Sequence, residues 1–498
     1  METFYITTPI YYVSGKPHLG HAYTSVACDV LAKWHKIKGK KVFFLTGTDE
    51  HGQKIANKAK ENNMGEKEFV DSLIPMFKEL NEKLELQNDF FIRTTDEYHK
   101  VYVQKMLQKA YDKEDIYKAK YEGLYCVECE KYYDEKELLE GKKCPDHKKE
   151  VKFMSEENYF FKLSKYQDKL LELYKENPEF LSPKKIANET INRVNEGLKD
   201  ISISRRKETL NWGIELPFDK DHVTYVWFDA LYNYLSALEH TNNQEFWPAN
   251  IHMVGKDINW FHSVYWPAFL MSTDQVLPKK VFAHGWWTVE GEKMGKSMGN
   301  VIDPVQIIKE YGLEEFKYYI LTAGRFGEDK NFSKAELIER INGELNNALG
   351  NLVSRTKAMI TKYFEGEINE TKKLRELELN LVEKSKFHKD FEKEMKDLNF
   401  QEAMKILFKF IYEVNSYVDE AKPWKEEDEE NKKIILSTIV SSIKLITNYL
   451  EFMMPNKNKL IRRTFGLKDE YTFKWEHVKK IKVNPEIPQI FKKIENLN

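Results

Sequence analysis

"FYITTPIYYVSGKPHLGHAYTSVACDVLAKWHKIKGKKVFFLTGTDEHG", residues 4–52, decides the fold. Its opening, "FYITTPIYY", is β-branched and aromatic, as a buried parallel strand is. A Gly-Lys-Pro break follows, after which Val26, Ala27, Val30, Leu31 and Trp34 recur at helical spacing up to Gly39. "KKVFFLTGTDEHG" is then a second apolar strand that runs into Gly-rich polar residues. Strand, helix and strand in this order form the βαβ unit of a doubly wound (Rossmann-like) parallel sheet, an α/β fold whose ligands sit at the strands' carboxyl ends.

Further along, the rhythm breaks. Residues 116–222 hold a Cys-rich segment, helical stretches and short strands without clear alternation, which reads as an insertion. The α/β pattern resumes with "HVTYVWFDALYNYLSAL", "IHMVGKDINWFHSVYWPAFLM" and "KKVFAHGWWTVEG". From about residue 335 Gly and Pro thin out and helical patterns dominate, broken by the charged run "KEEDEENKK", a solvated loop. With 498 residues, 41% of them apolar and 13% aromatic, the chain can bury several cores. The net charge of −2 means that a nucleic-acid partner has to be met by local basic patches.

The N-terminus lacks a basic start followed by a long apolar run, so no signal peptide is expected. In "IILSTIVSSIKLITNYLEFMMP", Ile435, Ile439, Ile446 and Leu450 share one helical face, which reads as a bundle helix rather than a membrane span. Four cysteines without secretory context argue against disulfides. These features give the expectation of a cytoplasmic protein without a membrane partner.

Two short motifs stand at the ends of apolar strands. In "PHLGH", His18 and His21 flank the start of the first helix, where unpaired N–H groups favour phosphate. Gly20 leaves room there for a flat base to approach the backbone. Taken alone, the motif serves equally as two helix-capping histidines. In "GEKMGKSMGN", Lys293 and Lys296 stand among Gly291, Gly295 and Gly299, as in a loop that closes on an anion; alone, it reads rather as a solvated basic hairpin tip. The α/β rhythm puts its preceding strand in the same sheet as "FYITTPIYY".

A third constellation lies in the insertion. Cys126 and Cys129 form a C-x2-C knuckle, and Cys144 and His147 a C-x2-H knuckle, the spacing of a closed tetrahedral Zn²⁺ site with a structural role. Cys28 reads as packing. In the helical third, Leu345, Leu349, Leu352 and Met359 point to a core, while Asn347, Asn351 and Arg355 fall on one polar stripe. Trp424, behind Pro423, is compatible with stapling a helix end or with stacking on a base.

His-x-Gly-His after the first strand, paired with Lys-Met-x-Lys-Ser after a late one, resembles the signatures of class I aminoacyl-tRNA synthetases. "TTPIYYVSGKPHLGH", "TGTDEHG", "VTYVWFDALYNY" and "GKDINWFHSVYWPAFL" together are similar to the methionyl-tRNA synthetase family, over nearly the whole chain. The resemblance implies ATP-dependent ligation of L-methionine to tRNA(Met) through a methionyl adenylate, with Mg²⁺ accompanying ATP. It implies catalytic roles for His18, His21, Lys293 and Lys296, and ATP binding by His18, Gly20, His21, Asp257 and Lys296. It maps the methionine pocket onto Ile10, Tyr12, Asp49, Trp227, Ala230, Leu231, Tyr234 and His262.

Chemistry fits that mapping: Asp49 suits an ammonium, the apolar walls suit a thioether, and Tyr12 and His262 would offer polar hydrogens near sulfur. The resemblance further implies one zinc in the insertion and anticodon contacts through Asn351, Arg355 and Trp424, with help from Asn415. Gly295 stands where the family usually has Ser.

The implied layout is a Rossmann catalytic domain in two halves, 1–115 and 223–290, a zinc-containing connective insertion at 116–222, a stem-contact region at 291–335 and a helical anticodon-binding domain at 336–498. No appended dimerisation module is seen, which gives the expectation of a monomer. Two other readings are a class I synthetase for another apolar amino acid, such as leucine, isoleucine or valine, and a non-catalytic tRNA-binding paralogue. The first usually carries a large editing insertion, and the second would be expected to have lost His18, His21 or Lys296. A small nucleotidylyltransferase would have no use for the helical third.

Overall fold

The computed structural model describes residues 1–126, 131–133, 135–145, 148–289, 292–293, 302–369 and 373–495. The chain divides into two compact units, Met1–Ala32 with Gly39–His284, and Lys33–Lys38 with Gly285–Asn498.

The first unit is built on a seven-stranded sheet. Its order is Tyr11–Tyr12, Lys41–Asp49, Thr3–Thr7, Ile251–Gly255, Val281–His284 and Leu181–Ser182, with Phe90–Arg93 also paired to Lys41–Asp49. Every pairing is parallel. Thr3–Thr7 lies at the centre because Tyr5 and Ile6 are apolar and buried on both faces, as a strand between two helical layers must be. The helix Leu19–Ile37 returns the chain to pair Lys41–Asp49 with Thr3–Thr7, in register Ile6 with Phe44. Ile251 pairs with Ile6 from the other side. Strand order therefore reverses at Thr3–Thr7, and the crevice beyond the carboxyl ends of Thr3–Thr7 and Ile251–Gly255 is the ligand position of such sheets.

Residues 116–222 form mainly antiparallel structure. Ile116–Cys126 pairs with Lys152–Phe161 and with Lys131–Tyr133, and Ile201–Ser202 adds to the outer edge. Ser204–Arg206, Asp219–Thr224 and Glu215–Leu216 make a separate small sheet. Two features depart from the alternation read in the sequence. Leu181–Ser182 extends the main sheet from within the segment 116–222, a two-residue strand too short for periodicity to reveal. The apolar start of "HVTYVWFDALYNYLSAL" belongs to the antiparallel sheet, because Val223 pairs with Arg205 rather than with a parallel neighbour.

The second unit begins with a small sheet of Glu292–Lys293, Trp287–Val289 and Lys330–Asn331, followed by helices. Within it, Glu429–Leu450 is long and apolar enough to cross a membrane by length and composition, yet it is almost wholly buried in the bundle. Burial runs all round the helix from Ile434 to Leu450 rather than along one face. Two of its hydroxyls bond back to the helix: Ser441 Oγ donates to the Ser437 carbonyl at 2.6 Å and Ser442 Oγ to the Thr438 carbonyl at 3.0 Å. Asn448 and Thr447 accept from the buried Arg462 guanidinium.

The stretch Ile341–Gly350 is a π-helix that continues into the α-helix Asn351–Phe364. Leu345, Leu349 and Leu352 are buried as the spacing predicts. Past the junction the apolar stripe runs through Val353, Thr356 and Ile360, and Met359 is left half-buried. A wider helical turn shifts the register that a uniform 3.6-residue period assumes.

Candidate active site

At the start of the first helix, two backbone amides fix both imidazoles. The Gly20 N–H donates to His18 Nδ1 at 3.1 Å, and the His18 N–H donates to His21 Nδ1 at 2.9 Å. A ring nitrogen that accepts from an amide carries no hydrogen, so in the neutral ring the proton sits on Nε2. His18 and His21 are thereby set as Nε2–H donors, their rings 4.0 Å apart. Tyr11 braces His21 edge-on at 4.7 Å. Gly20 has a second use beyond room for a base. A Cβ there would lie 2.9 Å from His18 Cε1, so any side chain displaces the ring.

Thr24 and His284 are two residues that motif reading passes over. Thr24 Oγ1 lies 2.7 Å from His284 Nε2 and 3.1 Å from the Gly20 carbonyl. The helix start is thus tied to the carboxyl end of Val281–His284. Asp257 follows Ile251–Gly255 and is exposed, its Oδ1 occupying the space that a Cβ on Gly255 would take. Nothing in the local sequence signals the role of Thr24, since its partner lies 260 positions away.

The stretch "TDEHG" sends three consecutive side chains to three destinations. Asp49 is buried at the end of its strand, opposite Tyr12. Glu50 turns away and accepts from Arg93 Nε at 2.7 Å and Nη2 at 2.8 Å, from Thr48 Oγ1 at 2.7 Å and from Thr95 Oγ1 at 2.6 Å. His51 Nδ1 meets Asp229 Oδ2 at 2.6 Å, and the other oxygen of Asp229 meets His99 Nε2 at 2.7 Å. Burial pushes the Asp229 carboxyl up, but the imidazoles of His51 and His99 outweigh it and hold the group below its usual range. This His–Asp–His cluster is invisible in the sequence because its members lie on three separate segments.

Asp229 belongs to the helix Val226–Leu231, which also carries Trp227, Ala230 and Leu231. Trp227 stacks on Phe261 at 3.8 Å and meets the His262 ring edge-on at 6.0 Å. Ile10, Tyr12 and Trp227 are half-buried against the same apolar cluster that contains Leu231 and Tyr234, and Ala230 is buried. Five of the eight residues expected to form one pocket thus belong to or pack on one apolar cluster, and His262 meets two of these, Trp227 and Tyr234.

The behaviour of His262 differs from the expectation that it offers a polar hydrogen. It lies in a π-turn, Phe261–Tyr265, where a widened turn re-aims a side chain. Its Nδ1 lies 3.0 Å from the Ile258 carbonyl, which only accepts, so Nδ1 carries the hydrogen. Nε2 then accepts from the Tyr234 hydroxyl at 2.7 Å. Burial, partly opposed by that carbonyl and by Asp257, lowers the imidazole pKa to about 4. A neutral ring with both nitrogens engaged is thus a fixed wall. Beneath it, the buried His252 accepts from Trp266 Nε1 at 3.3 Å and reaches Thr7 Oγ1 at 2.8 Å, and Tyr234 lies over its ring at 4.1 Å.

In the second unit, Asn351 and Arg355 are exposed on one helix and Trp424 is 43% exposed. The Arg355 guanidinium lies over the Trp424 ring at 5.7 Å and pairs with Asp419 at 3.0 Å. Asn415 is half-buried and gives both amide hydrogens to backbone, to Ala348 at 3.1 Å and Ile411 at 3.0 Å, so it ties two helices together.

Cys126 and Cys144 are fully buried in one small cluster with Tyr133 and Val151. Their presumed co-ligands Cys129 and His147 lie outside the described residues, and among the described residues no group of three metal-ligating side chains occurs. Two buried thiols in so small an apolar cluster fit a thiolate-bound metal. Lys293 sits in a short strand whose residue pairs with Thr288, its side chain outside the described part; Lys296 and Gly295 also lie outside it.

The family described as tRNA synthetases class I (M) matches residues 4–153 and 143–357. The chain is 45% identical over 488 residues to the methionine–tRNA ligase of Caldanaerobacter subterraneus subsp. tengcongensis, covering 96% of this chain and 76% of that protein. It is 43% identical to the methionine–tRNA ligase of Bacillus subtilis, covering 96% and 75% respectively. Among solved structures, Mycobacterium tuberculosis methionyl-tRNA synthetase in complex with methionyl-adenylate is similar at a TM-score of 0.94 and 33% identity, over 99% of this chain and 100% of that one. The chain belongs to the class I tRNA synthetases, in the family of the methionine enzymes.

Proposed function

We infer that this chain is a methionine–tRNA ligase, activating L-methionine with ATP and passing it from the adenylate to tRNA(Met). The observation that carries the reading is the Tyr234–His262 pair, locked behind the stacked Trp227. A rigid wall of uncharged aromatic groups suits an unbranched thioether, whose sulfur packs well against ring edges. In this reading Ile10, Ala230 and Leu231 line the side chain, Tyr12 closes over it and Asp49 receives the ammonium.

The first step crowds negative charge as the carboxylate attacks the α-phosphate. The Nε2–H groups of His18 and His21, with the helix start behind them, are supported as its preorganised donors by the amide bonds that set their tautomers. Lys296, with Lys293, would add mobile positive charge, Gly20 would let the adenine approach, and Asp257 would hold the ribose. No side chain is needed as a covalent nucleophile. Mg²⁺ would accompany ATP, neutralising its phosphates. One Zn²⁺ on Cys126, Cys129, Cys144 and His147 would stabilise the segment 116–222. Asn351, Arg355 and Trp424 would read the anticodon by hydrogen bonds and stacking. We further propose a cytoplasmic monomer, the sparse cysteines fitting a reducing compartment.

Charging assays with tRNA(Met) and with the same tRNA carrying a changed anticodon test the reading as a whole. Methionine should be esterified to the first and barely to the second; equal charging of both would remove the anticodon assignment.

A further inference from the structure

Behind Tyr234 lies a row of polar side chains that the proposed methionine pocket does not include. Thr7, at the carboxyl end of the central strand, and His252, its register partner on Ile251–Gly255, are both fully buried. Polar groups so placed are hydrogen-bonded, because burying them unpaired is costly.

The direction of every bond in the row follows from its two ends. At one end the Trp266 indole can only donate, so His252 Nε2, 3.3 Å away, accepts. Burial, reinforced by the neighbouring His262, holds the His252 imidazole neutral, its pKa well below the ordinary value. Its one hydrogen therefore sits on Nδ1 and is given to Thr7 Oγ1 at 2.8 Å. Thr7 then directs its own hydroxyl hydrogen elsewhere, and its other partner is the Tyr234 phenol. Burial raises the pKa of that phenol, and hydrogen bonds from the side chains of Asn233 and Thr7 oppose the rise, as donors to its oxygen do. At the other end the Ile258 carbonyl can only accept. His262 gives it the Nδ1 hydrogen and takes the Tyr234 hydrogen on Nε2.

The hydrogens thus run one way, from the indole through His252, Thr7, Tyr234 and His262 to a carbonyl. The Tyr234 hydrogen is committed to His262 and its oxygen is filled from behind, so the hydroxyl offers a substrate neither donor nor acceptor. We propose that Thr7 and His252 are specificity-determining positioning residues: by filling the Tyr234 oxygen they make the wall reject side chains that need a hydrogen bond. A thioether, a weak acceptor, loses little there, whereas a hydroxyl is buried unpaired. The proposal deepens the ligase reading above and rests on it.

The test uses norleucine and δ-hydroxynorvaline, whose unbranched side chains match methionine in length and end in methyl and hydroxyl respectively. The kcat/KM for ATP–pyrophosphate exchange is measured with each, beside methionine, on the full chain and on its Thr7→Val and Thr7→Ser variants. The unaltered protein should prefer norleucine to δ-hydroxynorvaline by about a hundredfold, the discrimination that an apolar wall gives against one hydroxyl. Thr7→Val keeps the shape but vacates the phenol oxygen, and this preference should fall to about tenfold or less. Thr7→Ser keeps the hydroxyl and should retain the full preference, with the methionine-to-norleucine ratio unchanged throughout. An undiminished preference in Thr7→Val overturns the proposal, since a merely structural role slows all three substrates alike. An equal fall in Thr7→Ser overturns it as well. If Thr7→Val does not fold, heteronuclear NMR of the histidine-labelled unaltered protein decides. Hydrogen on Nδ1 of His252 is expected, and hydrogen on Nε2 overturns the proposal. Absence of methionine-dependent exchange in the unaltered protein would instead remove the ligase reading on which the proposal stands.

Discussion

Tyr234 and His262 are sealed in the first unit, whereas Arg355 and Trp424 stand on an open helical face of the second. In the sealed pair every polar atom is committed: one imidazole nitrogen donates to Ile258, the other accepts from Tyr234. In the open pair the guanidinium pairs with Asp419 and lies over the indole face, and both can be exchanged for an incoming ligand. The difference teaches how each region selects. A sealed wall discriminates by fixed shape, and an exposed cation over an aromatic ring discriminates by what can stack and bond there. Substitutions should accordingly be costly in stability in the first region and costly mainly in binding in the second.

The largest effect is expected beside the sealed pair, at Asp229. Asp229→Ala leaves two buried imidazole donors facing no acceptor, and breaking such a buried charged cluster costs about 3–5 kcal/mol. Urea unfolding should show this loss, and a change below about 1 kcal/mol would mean that His51 and His99 find other partners.

Acid should act next, through His262. Its folded pKa of about 4 lies below the ordinary value of 6.5, so the unfolded chain binds more protons between them. Stability from this group is fully present above pH 6.5 and is lost as pH falls toward 4, by about 3 kcal/mol in total. Unfolding measured at pH 7 and pH 5 should show the loss, and H262N should flatten it. Tyr234→Phe removes only the hydroxyl that His262 accepts from, at about 1–3 kcal/mol, with a raised KM for methionine.

In the open region, W424A should lower charging of tRNA(Met) by about tenfold or more while leaving ATP–pyrophosphate exchange intact. D419N should be the mildest, because exposed ion pairs contribute only about 0–1 kcal/mol. A large loss of charging in D419N would mean that Asp419 itself contacts RNA.

The βαβ opening was legible because its strands are continuous apolar runs and its helix keeps one period from Val26 to Trp34. The residues named for the methionine pocket were legible only through resemblance, since single aromatics such as Trp227 look like ordinary core. What escaped reading shares one physical cause: contacts between distant segments and local changes of helical pitch. Asp229 meets His99 across 130 positions, Thr24 meets His284 across 260, and the π-turn at His262 reassigns its hydrogen without any marker in "NWFHSVYW". Periodicity also failed at Met359 for the same reason, because the π-helix before it shifts the register.

The most direct test of the ligase reading is ATP–pyrophosphate exchange with each of the twenty amino acids in turn. Exchange driven by methionine is expected, with leucine, isoleucine and valine far weaker. Exchange driven best by any other amino acid, or none with methionine, would contradict it.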